Sequence, residues 1–332
     1  MRIKPLLFLF ALALFTGCSD TDELTHTRNL RLRHKGADMP IWVRGNFASN
    51  KILLFLHGGP GDCAMCYRYY LKDIENEFAV AYWDQRLAGS SSGRVDVATL
   101  TYRQFEEDTE LVIELLRQEF PNAKIYLMGH SFGVELGWQY VTKAGQANNV
   151  HGFIAVNGIH SSYSWLKHMH NWVLTKATEK NDAEANAFLH SNPVVASDLL
   201  SYPWQDLYRH MLRLEGNPVS LYSDKRFILN FLFLSPNLAF AQFTHGKHYG
   251  TVTSTDGLQF EKGALLKDVT VPVGLFWGVK DGVVPLAVGE EADALLTNTT
   301  REWVRFENSW HEPFVSETDR FIRETIAFMK RH

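Results

Sequence analysis

The stretch Ile125-Tyr126-Leu127-Met128-Gly129-His130-Ser131-Phe132-Gly133 decides how this chain is read. Its four leading apolar residues suit a short strand buried on both faces. The next five have the form G-x-S-x-G, and the segment after them, Val134–Lys143, reads as a helix. Strand, sharp turn and helix are the setting in which such a serine is presented as a nucleophile. Glycine on either flank avoids clashes that a Cβ would cause. The helix N-terminus behind Ser131 favours developing negative charge. Ser131 is therefore the candidate nucleophile.

Outward from this turn, short apolar runs recur. Asn29–His34 and Pro40–Arg44 read as strands around a Gly36-Ala37-Asp38 turn. Lys51–Leu56, Phe78–Trp83, His151–Val156, Val271–Trp277 and Arg301–Phe306 complete a set of eight. Helical patterns separate them. Thr101-Tyr102-Arg103-Gln104 has the form of a capping box ahead of Phe105, Val112 and Leu116, and Pro121 ends that helix. Ser316-Glu317-Thr318-Asp319 can cap a last helix carrying Phe321, Ile322, Thr325 and Met329. Such alternation predicts a mostly parallel eight-stranded sheet flanked by helices, an α/β fold. The alternation breaks over residues 159–262, which are rich in aromatic residues and lack strand periodicity. That span is expected to be an inserted helical cap lining a pocket above the sheet. Residues 27–158 and 263–332 then form the catalytic domain.

The first residues read as a targeting signal. Arg2 and Lys4 precede the apolar run Pro5–Phe15, then Thr16-Gly17-Cys18. A cysteine after a small residue resembles the lipobox of bacterial lipoproteins. This implies a signal peptide over 1–17, lipidation of Cys18 and a tether over 18–26. The expected location is the cell envelope, on the periplasmic face, the outer membrane ahead of the inner. The apolar run is shorter than the roughly 20 residues a membrane-spanning helix needs, so membrane contact is expected through the lipid alone. Loss of residues 1–17 moves the formal charge from −4 to −6, which argues against nucleic acid as a partner. Nothing in the sequence signals an oligomeric state.

A serine hydroxyl needs a base and an acid that orients it. In this fold order the acid and histidine follow the serine. His311 lies in Ser309-Trp310-His311-Glu312-Pro313, after the last strand. Asp281 lies in Gly278-Val279-Lys280-Asp281-Gly282, after the strand before it; an Asp-Gly turn is the plainer alternative for that residue. Glu290, Glu291 and Asp293 sit on the next helix and are expected to point elsewhere. His130 is expected to shape the turn. The loop His57-Gly58-Gly59-Pro60-Gly61 follows a buried strand, and its glycines let backbone approach a substrate carbonyl. The N–H groups of Gly59 and Phe132 are the candidate oxyanion donors.

Leu56–Gly61 (L-H-G-G-P-G), Trp83-Asp84-Gln85-Arg86 and Gly129–Gly133 together resemble the prolyl iminopeptidase group of the α/β-hydrolase superfamily. The resemblance covers about 45–158 and 263–332. It implies an α/β-hydrolase fold, a cap-covered site, release of N-terminal residues from short peptides, and neither metal nor organic cofactor. Asp281 and His311 stand where that group has its acid and base. Asp84 and Arg86 are expected to brace the His57–Gly61 loop. Three departures stand out. Leu87 replaces the first glycine of D-Q-R-G-x-G-x-S, the turn is Gly-His-Ser-Phe-Gly where the group has G-G-S-W-G, and Asp62-Cys63 replaces the group's G-G.

An aminopeptidase must also hold a charged amine, which a buried carboxylate does well. Glu179, Asp182, Glu184, Asp198, Asp206, Glu215 and Asp224 in the cap are the candidates. Cys63 and Cys66 can form a redox pair, a local disulfide or a helix start. Neither His168/His170 nor His245/His248 has a carboxylate or cysteine at ligand spacing, so no metal is expected. The leading expectation is a serine aminopeptidase acting on small peptides. The rivals are an esterase with the same triad and a non-catalytic binding protein that keeps the fold.

Overall fold

The computed structural model describes residues 27–235 and 257–332. The expected signal segment (1–17), Cys18 and the expected tether, and His245 and His248, lie outside them.

Eight strands lie on one path. They are β1 (Thr27–His34), β2 (Ala37–Gly45), β3 (Lys51–Leu56), β4 (Ala79–Trp83), β6 (Lys124–His130), β7 (Gly152–Val156), β8 (Val273–Gly278) and β9 (Arg301–Phe306). A two-residue strand, β5 (Ser92–Gly93), pairs with β2 off this path. The order is β1-β2-β4-β3-β6-β7-β8-β9. Every pairing from β4 to β9 is parallel, and β1 and β2 add antiparallel partners at one edge. The expected fold class is therefore the observed one.

The apolar runs are continuous because both faces of the sheet are covered. In β3, Ile52, Leu54 and Leu56 join the core on one face, and Leu53 and Phe55 join the core on the other. Helices α2 (Tyr102–Glu119) and α3 (Phe132–Val141) pack into the first core, α1 (Ala64–Leu71) and α10 (Thr318–Arg331) into the second. Each buried Leu, Ile or Phe stabilises the fold by about 1.5–3 kcal/mol relative to exposure.

Between β7 and β8 stand α4 (Ser162–Glu179), α5 (Ala183–Ser191), α6 (Trp204–Arg213) and α7 (Lys225–Leu234). After β8 comes α8 (Leu286–Leu295), and after β9 a short α9 (Pro313–Ser316) precedes α10. Among the described residues no helix is long and apolar enough to cross a membrane.

Two caps differ from expectation. Thr101 Oγ1 does accept the Gln104 N–H, but the Gln104 side chain turns to Asp108, so the box is only half made. Glu317, not Ser316, precedes α10, without a side-chain cap bond, because α9 takes up Ser316.

Candidate active site

Strand β6 ends at His130 and α3 begins at Phe132, which leaves Ser131 alone at the turn. Its backbone sits at φ 52° and ψ −121°, a region costly for a residue with a side chain. The Ser131 N–H donates to Val156 O at 3.0 Å and holds it there. The glycines are required by contact. A Cβ on Gly133 would lie 1.9 Å from Leu56 O, and one on Gly129 2.4 Å from Gly133 O. Phe132 opens α3, so its N–H belongs to the helix's first-turn donors that lack an intrahelical partner.

Asp281 and His311 are brought together by the ends of β8 and β9. His311 Nδ1 and Asp281 Oδ2 lie 2.9 Å apart. The same oxygen accepts Asn157 Nδ2 at 2.6 Å, while Oδ1 accepts the N–H groups of Val283 at 2.7 Å and Val284 at 3.0 Å. Four bonds thus fix a carboxylate that is 1 % exposed. Asn157 follows β7, the other strand end where a hydrolase acid can stand, and here it braces the acid. Burial works against a protonated His311, yet the Asp281 carboxylate, with Glu312 and Asp62 behind it, outweighs burial and raises the ring's pKa above the ordinary imidazole value. His130 Nε2 donates to His311 O at 3.0 Å, tying the serine turn to the histidine loop. Burial, and then the neighbouring His311, hold the His130 pKa well below the usual value. Among the described residues no hydrogen bond joins the His311 ring to the Ser131 hydroxyl. Bonds of this kind often tighten only around substrate.

The loop after β3 closes the front. His57 is fully buried, and its Nε2 accepts the Gln85 N–H at 3.2 Å, while Gln85 Nε2 donates to His57 O at 3.0 Å. Asp84 and Arg86 are the expected braces of this loop; these bonds to His57 come from Gln85, the residue between them. Successive residues leaving β4 point in different directions. Asp84 turns to the N–H groups of Ala64 at 2.7 Å and Ser90 at 2.6 Å. Arg86 forks onto Asp108 at 2.5 and 2.7 Å, with neither side chain exposed. Burial pushes the Asp84 pKa up to about 7, against the two N–H donors.

Ser131, His311, Gly59 and Phe132 all line one cavity of about 590 Å³. Asp281 and His57 stand behind that lining. Cap residues Trp165, Trp204, Tyr208 and Tyr222 form much of the opposite wall. None of the seven candidate cap carboxylates lines the cavity. Asp224, for example, accepts the Tyr70 hydroxyl at 2.7 Å and pairs with Arg226. The lining carboxyls come from the sheet side instead: Asp62, Glu135 and Glu312. Burial pushes Glu312 up to about 7, countered by His311 and by Asn217 Nδ2 at 3.2 Å. Burial likewise pushes Glu135 up to about 8, countered by the Tyr102 hydroxyl.

These three acids were missed in the sequence, although each had a signal. Asp62 replaces a glycine of the family pattern, Glu135 stands one helical turn after Ser131, and Glu312 adjoins His311. Cys63 and Cys66, buried at the start of α1, form a disulfide with Cα atoms 5.4 Å apart. Among the described residues no group of three or more His, Cys, Asp or Glu side chains is placed to hold a metal ion.

Residues 51–318 match the alpha/beta hydrolase fold family. The chain is 27% identical over 315 residues to the probable aminopeptidase YbaC of Bacillus subtilis, covering 88% of this chain and 92% of that protein. It is 38% identical over 65 residues to a pimeloyl-[acyl-carrier protein] methyl ester esterase of Aliivibrio salmonicida, which covers 20% of this chain and 24% of that protein. The crystal structure of a proline iminopeptidase from Mycobacterium smegmatis superposes with a TM-score of 0.66 at 17% identity, over 92% of this chain and 98% of that one. A family match across most of the chain, carried by a sheet with a serine turn and a buried His–Asp pair at its edge, makes this protein a hydrolase of the alpha/beta hydrolase fold family.

Proposed function

We propose that the protein is a serine aminopeptidase that releases N-terminal residues from short peptides through an acyl-enzyme. The observation that supports this best is His311, held by the buried Asp281, lining the same cavity as the strained Ser131. Ser131 Oγ attacks the carbonyl carbon while His311 takes its proton. The N–H groups of Phe132 and Gly59 hold the resulting oxyanion, a contribution of about 3–4 kcal/mol per donor in comparable sites. The C–N bond breaks, and His311 returns the proton to the departing amine. Water, deprotonated by His311, then attacks the acyl-enzyme, and its collapse frees the N-terminal residue and Ser131.

The likeness to an aminopeptidase along nearly the whole chain favours a peptide over an ester as substrate. An esterase with the same triad is the second reading, favoured by the mostly apolar cap wall. Labelling by a fluorophosphonate probe, lost in Ser131→Ala, tests the serine mechanism. Absence of labelling in the folded wild type would leave the non-catalytic binding reading standing. A panel of aminoacyl p-nitroanilides and acyl p-nitrophenyl esters then separates peptidase from esterase.

We also propose that Cys18 is lipidated after removal of residues 1–17, anchoring the enzyme in a bacterial envelope, the outer membrane ahead of the inner. The motif Thr16-Gly17-Cys18 behind an apolar run supports this. Incorporation of labelled palmitate that survives Cys18→Ser would refute it.

A further inference from the structure

We propose that Asp62, Glu312, His130 Nδ1 and Asn217 Oδ1 form the subsite that receives the protonated N-terminal amine of the substrate. This rests on the aminopeptidase reading above and assigns its selectivity to carboxyls of the sheet side, with Asn217 as a cap residue beside them.

Asp62 and His130 stand beside the nucleophile, and Glu312 and Asn217 line the same cavity. Asp62 Oδ2 and Ser131 Cβ each lie 3.3 Å from the point where a Cβ on Gly58 would stand, and His130 Nδ1 lies 3.1 Å from it. Asp62 is therefore no further from Ser131 than twice that distance. The α-nitrogen of a peptide is two bonds, about 2.5 Å, from the carbonyl carbon that the serine attacks. A carboxylate at this range from Ser131 can contact the amine of a bound substrate.

The chemistry is uniform. Asp62 is 5 % and Glu312 4 % exposed, and among the described residues neither forms an ion pair. The described cavity lining contains no Lys or Arg. His130 Nε2 faces a carbonyl and so carries the proton, which leaves Nδ1 as an acceptor. That atom is buried and unpartnered, in a side chain only 2 % exposed. Asn217 Oδ1 is a second buried acceptor without a partner, on a side chain that already bonds Glu312. Buried acceptors and carboxylates without a cation are costly unless the ligand supplies one. A primary or secondary ammonium, with two or three N–H donors and one positive charge, completes the set. An acyl ester without an amine does not.

Two tyrosines aim Asp62. Tyr67 donates to Oδ2 at 2.6 Å and Tyr222 of the cap to Oδ1 at 2.5 Å. A carboxylate has about four lone-pair sites, so both oxygens can still accept from the substrate.

The test does not require peptide turnover. Alaninamide and N-acetylalaninamide are compared as competitive inhibitors of fluorophosphonate labelling of Ser131 in the full-length protein. The wild type should bind the free amine about 30-fold more tightly, and Asp62→Asn should shrink that ratio to about threefold or less. Tyr222→Phe, which keeps the carboxylate but loses one of its guides, should give an intermediate ratio. A wild type that does not prefer the free amine overturns the subsite, as does an Asp62→Asn protein that keeps the full preference. If Asp62→Asn does not fold, Glu312→Gln and Tyr222→Phe decide on the same ratio. Amine preference without p-nitroanilide turnover would refute the peptidase reading and leave the subsite intact.

Discussion

The two walls of the cavity are built differently. The sheet-side wall carries Ser131, His311 and three buried carboxyls, all within a few residues of a strand or helix end. The cap wall carries Trp165, Trp204, Tyr208 and Tyr222, which offer shape, apolar area and a few hydroxyls. Proton transfer and charge recognition need fixed dipoles, and a parallel sheet supplies fixed positions. Side-chain fit tolerates more movement and can be left to helices. Under the proposed function, the difference gives selectivity two sources: charge read from below, shape read from above.

Substitutions can break this division. Ser131→Ala should lower kcat by at least about 10⁴-fold on every substrate, measured by steady-state kinetics, while the protein still folds. Asp281→Asn should cost roughly 10³–10⁴-fold in kcat, because the amide no longer favours the tautomer the base needs. A loss below about tenfold would move the orienting role away from Asp281. Trp204→Ala on the cap wall should raise KM by about tenfold and change kcat by less than about threefold. An equal fall in kcat would place the cap in the chemistry and erase the distinction. The smallest effect concerns pH. His311 must be neutral to act as base, and Glu312 helps to raise its pKa. Glu312→Gln should therefore move the acidic limb of kcat/KM to lower pH, by less than about one pH unit, with an ester substrate as the reporter.

Much of the sheet side was legible in the sequence for the reason that makes it rigid. Each piece is a local pattern: an apolar run, then a turn residue of defined type. Ser131, Asp281 and His311 each follow such a run. Gln85 was not legible as the partner of His57, since which of three residues leaving β4 faces the loop depends on the direction of the chain there. Asp62 and Glu312 were overlooked because 250 positions separate them and their burial arises only when the β3 and β9 loops meet. The cap was legible as helical and aromatic, but its acids looked like candidates only while their directions were unknown. Once folded, they serve caps and surface pairs, as Asp182 does with Ala185 N and Arg213.

Gly58 gives this arrangement an engineering consequence. A single methyl added there would press on the His130 ring, the Asp62 carboxylate and the Ser131 Cβ at once, at 3.1 to 3.3 Å. With Asp62 in the proposed amine subsite, reactivity and substrate choice share one hinge point of tolerance. A library that retunes the enzyme through this position would alter both together, whereas one drawn from the cap helices could alter preference alone.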